Sequence, residues 1–288
     1  MIDLRARHEL LALTGAMRRR AERLLGEEPD AATPDELEPS TGPLATLATA
    51  FQLRDLDRAA LACLLAAEVE PVFRALVRAE QREGGRPWLE LGTIADLLGL
   101  DREQLPELFE LFLAGGKLRD KGLVLVDEPP DLGDAPLIHL RAKVHRRVLR
   151  FCLGADELPH GFSLRRDSRA RLDDSLLGAA TRDDLLGRVR YALLAAEPML
   201  VAIHGVDGVG KKFLAEALAA QLGRPLLIAD VRTWERRLLH QHLADTAREA
   251  TLHGALTFFD GWDALIDDRL GPRAAAAIDG DEPAPSDA

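Results

Sequence analysis

GVDGVGKKFLAEAL, residues 205–218, decides how the C-terminal half of this chain is read. Gly205, Gly210 and Lys211 meet the spacing G-x-x-x-x-G-K. In such a loop successive backbone N–H groups converge on phosphate oxygens at the start of a helix. Glycine lets the main chain approach an anion closely and take positive φ. The lysine adds a point charge for the outer phosphates. The last position of the pattern calls for Ser or Thr, whose hydroxyl would ligate magnesium. Here it is Lys212, a cation that cannot coordinate a metal ion but can offset phosphate charge directly or point to solvent. The candidate ligand-contacting residues are therefore Gly205, Val206, Asp207, Gly208, Val209, Gly210, Lys211, Lys212 and Phe213.

The flanks give the loop its context. MLVAIHG predicts a buried strand over about 199–204, and the loop then opens a predicted helix, Lys211 to Leu222. Leu214, Leu218 and Leu222 fall on one face of that helix, and Gly223 stands at its end. PLLIADV (225–231) reads as a second strand, Thr233 to about His253 as a second helix, and ALTFFDG (255–261) as a third strand. Strand, helix, strand, helix, strand is the rhythm of a parallel sheet with crossover helices. Asp260 ends the third apolar strand, where an acid would organise a magnesium shell. The alternative is that it caps the next helix, GWDALIDD. Gly261 follows, at a position where many ATPases carry a Glu that orients the attacking water. His204 is read as a packed strand-end residue, with a phosphate contact as the alternative.

Upstream the pattern is helical. Residues 1–25 carry Leu4, Leu10, Leu11, Met17 and Leu24 at helical spacing, and 26–43 form an acidic, Pro- and Ser/Thr-containing linker. Over 44–154, LATLATAFQL leads into RDLDRAALACLLAAEVEP, which reads as a helix stopping near Pro71, and VFRALVRAEQRE continues as helix to the Gly84-Gly85 break. LGTIADLLGL holds a short helix capped by Thr93, and DREQLPELFELF another, capped by Asp101 and closed by Gly115-Gly116. A small hairpin is expected around Leu123 to Val126, then a helix from about Arg141 to Leu153. Helix, short helix, helix, hairpin is the order of a winged helix. Residues 155–180 read as an irregular linker, and Thr181 as the cap of a helix running to about Ala196.

Composition narrows the function classes. A formal net charge of -11 argues against broad binding to nucleic acid or anionic membranes by the whole molecule. Glu103, Glu107 and Glu110 lie on the helix that would enter DNA, so DNA binding is not expected and a protein-contact role is. Lys117, Arg119 and Lys121 read as a solvated turn, and so does 165-RRDSRAR-171. No apolar run is long enough to span a bilayer, and the N-terminus lacks a signal-peptide core, so a cytoplasmic location is expected. Cys63 and Cys152 read as reduced, buried thiols. His240 and His242 are two apart on a helix and make a poor metal pair. No Cys/His spacing points to zinc.

On HGVDGVGKKFLAEALAAQLGRPLLIADV and ALTFFDGWDAL, the C-terminal part resembles the start of an AAA-type P-loop ATPase domain. Residues from FQLRDLDRAALACLLAAEVEPVFRAL through RAKVHRRVLRFCLG resemble the winged-helix region preceding that core in bacterial AAA proteins. The resemblance spans about 44 to 268 and is to a degenerate first ATPase module. It implies ATP at Gly205, Gly210 and Lys211, magnesium at Asp260, and action as a homo- or hetero-oligomer with other AAA modules. Lys212 and Gly261 depart from the family pattern. After Asp268 the sequence continues as an acidic tail (271–288), so the further strands, arginine finger and lid that the resemblance implies are expected either from a longer chain or from another subunit.

The expected fold is thus mixed α/β and α. A mostly helical winged-helix domain (44–154) follows the N-terminal helix and linker (1–43). Beyond the second linker (155–180), a partial P-loop nucleotide-binding domain with a parallel α/β sheet occupies 181–270. The expected function is ATP binding, with little hydrolysis by this chain alone. Two other readings stand beside it: an ATPase competent only when assembled with a partner, and a non-enzymatic interaction module with a vestigial loop.

Overall fold

A computed structural model describes residues 4–24, 42–81, 88–127 and 136–266. The linker over 26–41, the Gly84-Gly85 break and the acidic tail lie outside them. The chain divides into two compact units. One is Met1–Glu157 with Ala247–Gly254; the other is Leu158–Thr246 with Ala255–Ala288.

The first unit opens with α1 (Leu4–Leu24), α2 (Pro43–Ala50), α3 (Asp55–Val69) and α4 (Pro71–Gln81). Helix α3 starts where the Arg54 N–H donates to the Asp57 carboxylate at 2.9 Å, and α4 starts at Pro71, which needs no N–H donor at a helix's first position. Helix α3 is apolar nearly all round, and accordingly Leu61, Leu64 and Leu65 are buried. The sequence set the N-terminal helix apart from the domain at 44–154. Instead Leu13, Met17 and Ala21, one helical stripe, are buried in the same core as α3.

Strand β1 (Leu89–Glu90) leads into α5 (Leu91–Leu98), followed by α6 (Leu105–Glu110), α7 (Lys117–Asp120), β2 (Val124–Asp127), β3 (Arg141–Val144) and α8 (Arg146–Cys152). The sheet is antiparallel, in the order β1-β3-β2, with Leu89 opposite Ala142 and Val124 opposite Val144. Arg141 to Val144 is therefore a strand and not the first turn of a helix. Ala142 and Val144 point inward and Arg141 and Lys143 outward, a period of two that four residues display only faintly. The hairpin partner of β2 is thus β3, well beyond the run around Leu123. Helix α8 begins at His145, whose Nδ1 accepts the Arg147 N–H at 3.2 Å. Thr93 falls inside α5 and not at its cap. Asp101 likewise does not cap: it accepts the N–H groups of Glu103 and Gln104 at 2.9 and 3.0 Å in the turn before α6, whose N-cap is Gln104 with no side-chain cap bond.

This unit also contains Ala247–Gly254. There Glu249, fully buried, accepts from Arg147 Nε at 3.0 Å and Nη2 at 2.9 Å.

The second unit holds β4 (Phe162–Arg165), α9 (Ala179–Ala195), α10 (Lys211–Gln221), β5 (Leu226–Asp230), α11 (Leu239–His253), β6 (Leu256–Asp260) and α12 (Asp263–Ile266). The last turns of α11 are those counted with the first unit. The sheet order is β4-β5-β6, with β4 antiparallel and β6 parallel to β5. The sheet is thus mixed, and the stretch read as a linker, 155–180, supplies β4. Gly161, at φ +84, makes the turn into that strand.

Three further expectations change. Residues 199–204 form no strand; Leu200 is 87% exposed and the run has no ladder partner. An apolar run becomes a strand only beside another strand that takes up its N–H and C=O groups. The second helix starts at Leu239 and not Thr233, because the 3-10 turns Val231–Thr233 and Arg236–Leu238 come first. Helix α9 begins at Ala179, which places Thr181 within its first turn. The strand readings of 225–231 and 255–261 and the helix from Lys211 agree with β5, β6 and α10. Leu214 and Leu218 bury the inner face of α10, and Leu222 packs beside them.

Candidate functional site: a glycine loop and two strand-end carboxylates

The loop after residue 204 is built by three glycines in conformations other residues avoid. Gly205 has φ +156, Gly208 +80 and Gly210 +91. Gly210 is the N-cap of α10, and the Leu214 N–H donates to its carbonyl at 2.9 Å. The first N–H groups of any α-helix lack intrahelical partners, so the start of α10, next to the loop, carries a partial positive charge. A Cβ at Gly205 would stand 2.8 Å from Val209 Cγ1, so the closeness of the loop also excludes other residues there.

Lys211 folds back over this loop. Its Nζ donates to the carbonyls of Gly205 (2.7 Å) and Val206 (3.2 Å) and pairs with Asp207 at 3.5 Å. The ammonium thus sits over the loop's own oxygens. Lys212 and His204 are exposed, as are Val206 and Phe213. His204 is therefore not a packed strand-end residue.

The second candidate element lies at the C-terminal ends of β5 and β6. The parallel register places Asp230 directly beside Asp260. Arg232 bridges them. Its Nε donates to Asp230 Oδ1 at 2.7 Å and its Nη2 to Asp260 Oδ2 at 3.0 Å, while its own N–H meets Asp230 Oδ1 at 3.2 Å. The hydrogen bond to Asp230, ahead of the other interactions with the two carboxylates, raises the Arg232 pKa above its ordinary value. The guanidinium crosses Gly261, which has φ +77; a Cβ there would meet Arg232 Cγ at 2.8 Å. Asp260 gives one oxygen, Oδ2, to Arg232, and its side chain stays 32% exposed. Among the described residues no group of three or more His, Cys, Asp or Glu is placed to hold a metal ion.

Sequence reasoning missed Arg232. Its signal was faint: two apolar strands each ending in Asp, with an Arg two residues after the first. His242, by contrast, is occupied by packing. It stacks on the buried Trp234 at 5.2 Å, and its Nε2 faces the Glu235 N–H at 3.3 Å.

In the first unit, α6 presents Glu107 and Glu110 to solvent, with Glu103 exposed in the turn before it, and Glu107 pairs with Arg54 Nη1 at 2.8 Å. Lys117 lies 3.3 Å from the buried Asp57 carboxylate. The helices α5 to α7, between strand β1 and the β2-β3 hairpin of the antiparallel β1-β3-β2 sheet, are the arrangement of a winged helix, and the family described as winged helix domain, variant, matches residues 6–162, more than half the chain. The chain belongs to the winged helix domain family. The match begins within α1 and runs to the first residue of β4, so the N-terminal helix is part of the winged-helix domain. The matched residues end before the glycine loop. No curated protein and no solved structure matches the chain. Among the described residues, no helix is long and apolar enough to cross a membrane.

Proposed function

We propose that this winged-helix protein binds ATP at the loop from Gly205 to Phe213 and does little or no hydrolysis by itself. One observation carries the reading: three glycines with positive φ form a closed turn that ends at the N-terminus of α10, with Lys211 over it. That is the arrangement an anion-binding loop requires. The resemblance of 204–231 and 255–265 to an AAA-type P-loop domain supports the same ligand class. Lys212 and Gly261 withhold the hydroxyl and the carboxylate that hydrolysis would use. The acidic outer face of α6 supports a protein partner for the winged helix, not DNA.

The test is thermal unfolding with ATP at millimolar concentration, followed by a turnover assay. A ligand that binds only the native state raises the midpoint in proportion to ln(1 + [L]/Kd). A rise in wild type, lost in Lys211→Ala, is the expected result. An unchanged midpoint would mean a vestigial loop, and brisk turnover by the isolated chain would equally overturn the reading.

A second reading, an ATPase active only in an assembly with other AAA modules, is favoured by the open strand positions. Strand β6 ends the sheet order, and 199–204 is an apolar run without a partner strand among the described residues. Mixing candidate partners and assaying ATPase activity separates the two; Lys211→Ala should abolish any gain.

A further inference from the structure

We propose that Arg232 is a built-in cation of this site: its guanidinium holds the Asp230 and Asp260 carboxylates where a divalent metal would otherwise sit, so that phosphate ligands enter without magnesium. The part concerning phosphate ligands rests on the nucleotide-loop reading; the part concerning the carboxylates does not.

Two carboxylates side by side at the ends of parallel strands repel each other and attract a cation. This chain supplies that cation itself. Arg232 reaches both acids through separate nitrogens, Nε to Asp230 and Nη2 to Asp260, at 2.7 and 3.0 Å. A planar guanidinium with fixed donors suits such a bridge, and charge-assisted hydrogen bonds of this length are the stronger kind.

The second observation is Gly261. Its bare backbone is what lets the Arg232 stem lie across the end of β6, since an added Cβ would approach Cγ, Cδ and Nε to 2.8, 3.0 and 3.0 Å. Arg232 and Gly261 therefore form one device. A residue with a side chain at 261, a Glu included, and Arg232 in its present place exclude each other.

Lys212 agrees in sign. At a position where a hydroxyl would ligate magnesium, the chain places a second positive charge, on an exposed side chain. The metal that the family resemblance implies at Asp260 does not fit the residues as found. The charge it would bring is already present in two side chains.

The experiment compares wild type, Arg232→Gln and Arg232→Lys, first for Mn2+ binding by electron paramagnetic resonance without nucleotide, then for ATP binding in magnesium and in EDTA. Wild type and Arg232→Lys should leave added Mn2+ free. Arg232→Gln, with unchanged circular dichroism, should bind Mn2+ at least about tenfold more tightly than wild type, the scale of one charge-assisted contact. Wild-type ATP affinity should change less than about threefold between magnesium and EDTA, because no metal contact with the protein is lost. Wild-type Mn2+ binding that Asp260→Asn removes would overturn the proposal, as would Arg232→Gln binding no more Mn2+ than wild type. Absence of ATP binding in every condition would sink the nucleotide reading instead, and the Mn2+ comparison would still decide the role of Arg232.

Discussion

Arg147 and Glu249, more than a hundred residues apart in the chain, form a two-pronged ion pair inside the first unit, with side chains only 6% and 0% exposed. The same guanidinium donates to the Ala155 carbonyl at 3.3 Å and to Asp156 at 3.3 Å. Arg248 and His253 lie 3.7 and 3.8 Å from the Glu249 carboxylate. Glu249 is thus the shared anion of a buried basic cluster. Removing one partner of such a pair strands the other charge away from water, which costs about 3–5 kcal/mol. Glu249→Ala should lower the denaturation free energy of the first unit by that order. The Arg147→Met/Glu249→Leu double variant should recover much of the loss. Chemical denaturation with a probe in the winged-helix domain measures both.

The loop glycines separate backbone strain from collision. At Gly208, φ is +80 and nothing stands within 4 Å of an added Cβ, so Gly208→Ala should cost only the conformational penalty, roughly 1–2 kcal/mol. Gly205→Ala adds an approach of 2.8 Å to Val209 and should be the more destabilising of the two. If the loop binds ATP, both should also weaken binding, Gly205→Ala more. Thermal unfolding with and without ATP checks the order. Equal effects would show that the collision relaxes without cost.

Gly261 and Arg232 should behave non-additively. Gly261→Ala forces the Arg232 stem aside and meets an unfavourable φ, and the loss should be about 1–3 kcal/mol. In an Arg232→Ala background the collision disappears and only the backbone penalty remains. A double-mutant cycle on denaturation free energy should therefore show coupling of about 0.5 kcal/mol or more, with the pair less destabilised than the sum.

Cys63 gives a pH prediction. Burial pushes its thiol up from the ordinary 9.0 to about 12, and its Sγ lies 3.4 Å from Met17 Sδ in the core. The folded protein keeps this thiol neutral at pH values where the unfolded chain ionises. The associated stability is present in full below pH 9.0 and is lost as pH climbs from there towards about 12. Iodoacetamide should leave Cys63 unlabelled in the native state at pH 8 and label it at once after unfolding. In Cys63→Ala, the fall in stability above pH 9 should be shallower.

Much of this architecture could be read from residue patterns. The Leu214–Leu218 stripe announced α10, LLIAD and LTFFD announced β5 and β6, and the alanine- and leucine-rich run after Asp55 announced α3. What stayed hidden depended on partners distant in sequence. Arg141 to Val144 is too short to declare its alternation, and FSLR at 162–165 is polar enough to pass for a linker. Conversely, MLVAIH has every local mark of a strand and lacks a neighbour. The site divides the same way. The loop is contiguous and its glycine spacing is visible in the sequence. The Asp230–Arg232–Asp260 bridge exists only because the parallel register brings two strand ends together.

Strand β6 has a consequence for anyone who concentrates this protein. It closes the sheet order with one side unclaimed among the described residues, and the apolar run 199–204 likewise has no ladder to join. Two half-zippers on each molecule, one of main-chain hydrogen-bonding groups and one of exposed leucine and valine, invite intermolecular strand pairing. Warm, concentrated samples should therefore lose monomer to fibrillar or amorphous precipitate before they lose helix content, and a charged or proline substitution at Leu200 should extend shelf life without touching the winged-helix core.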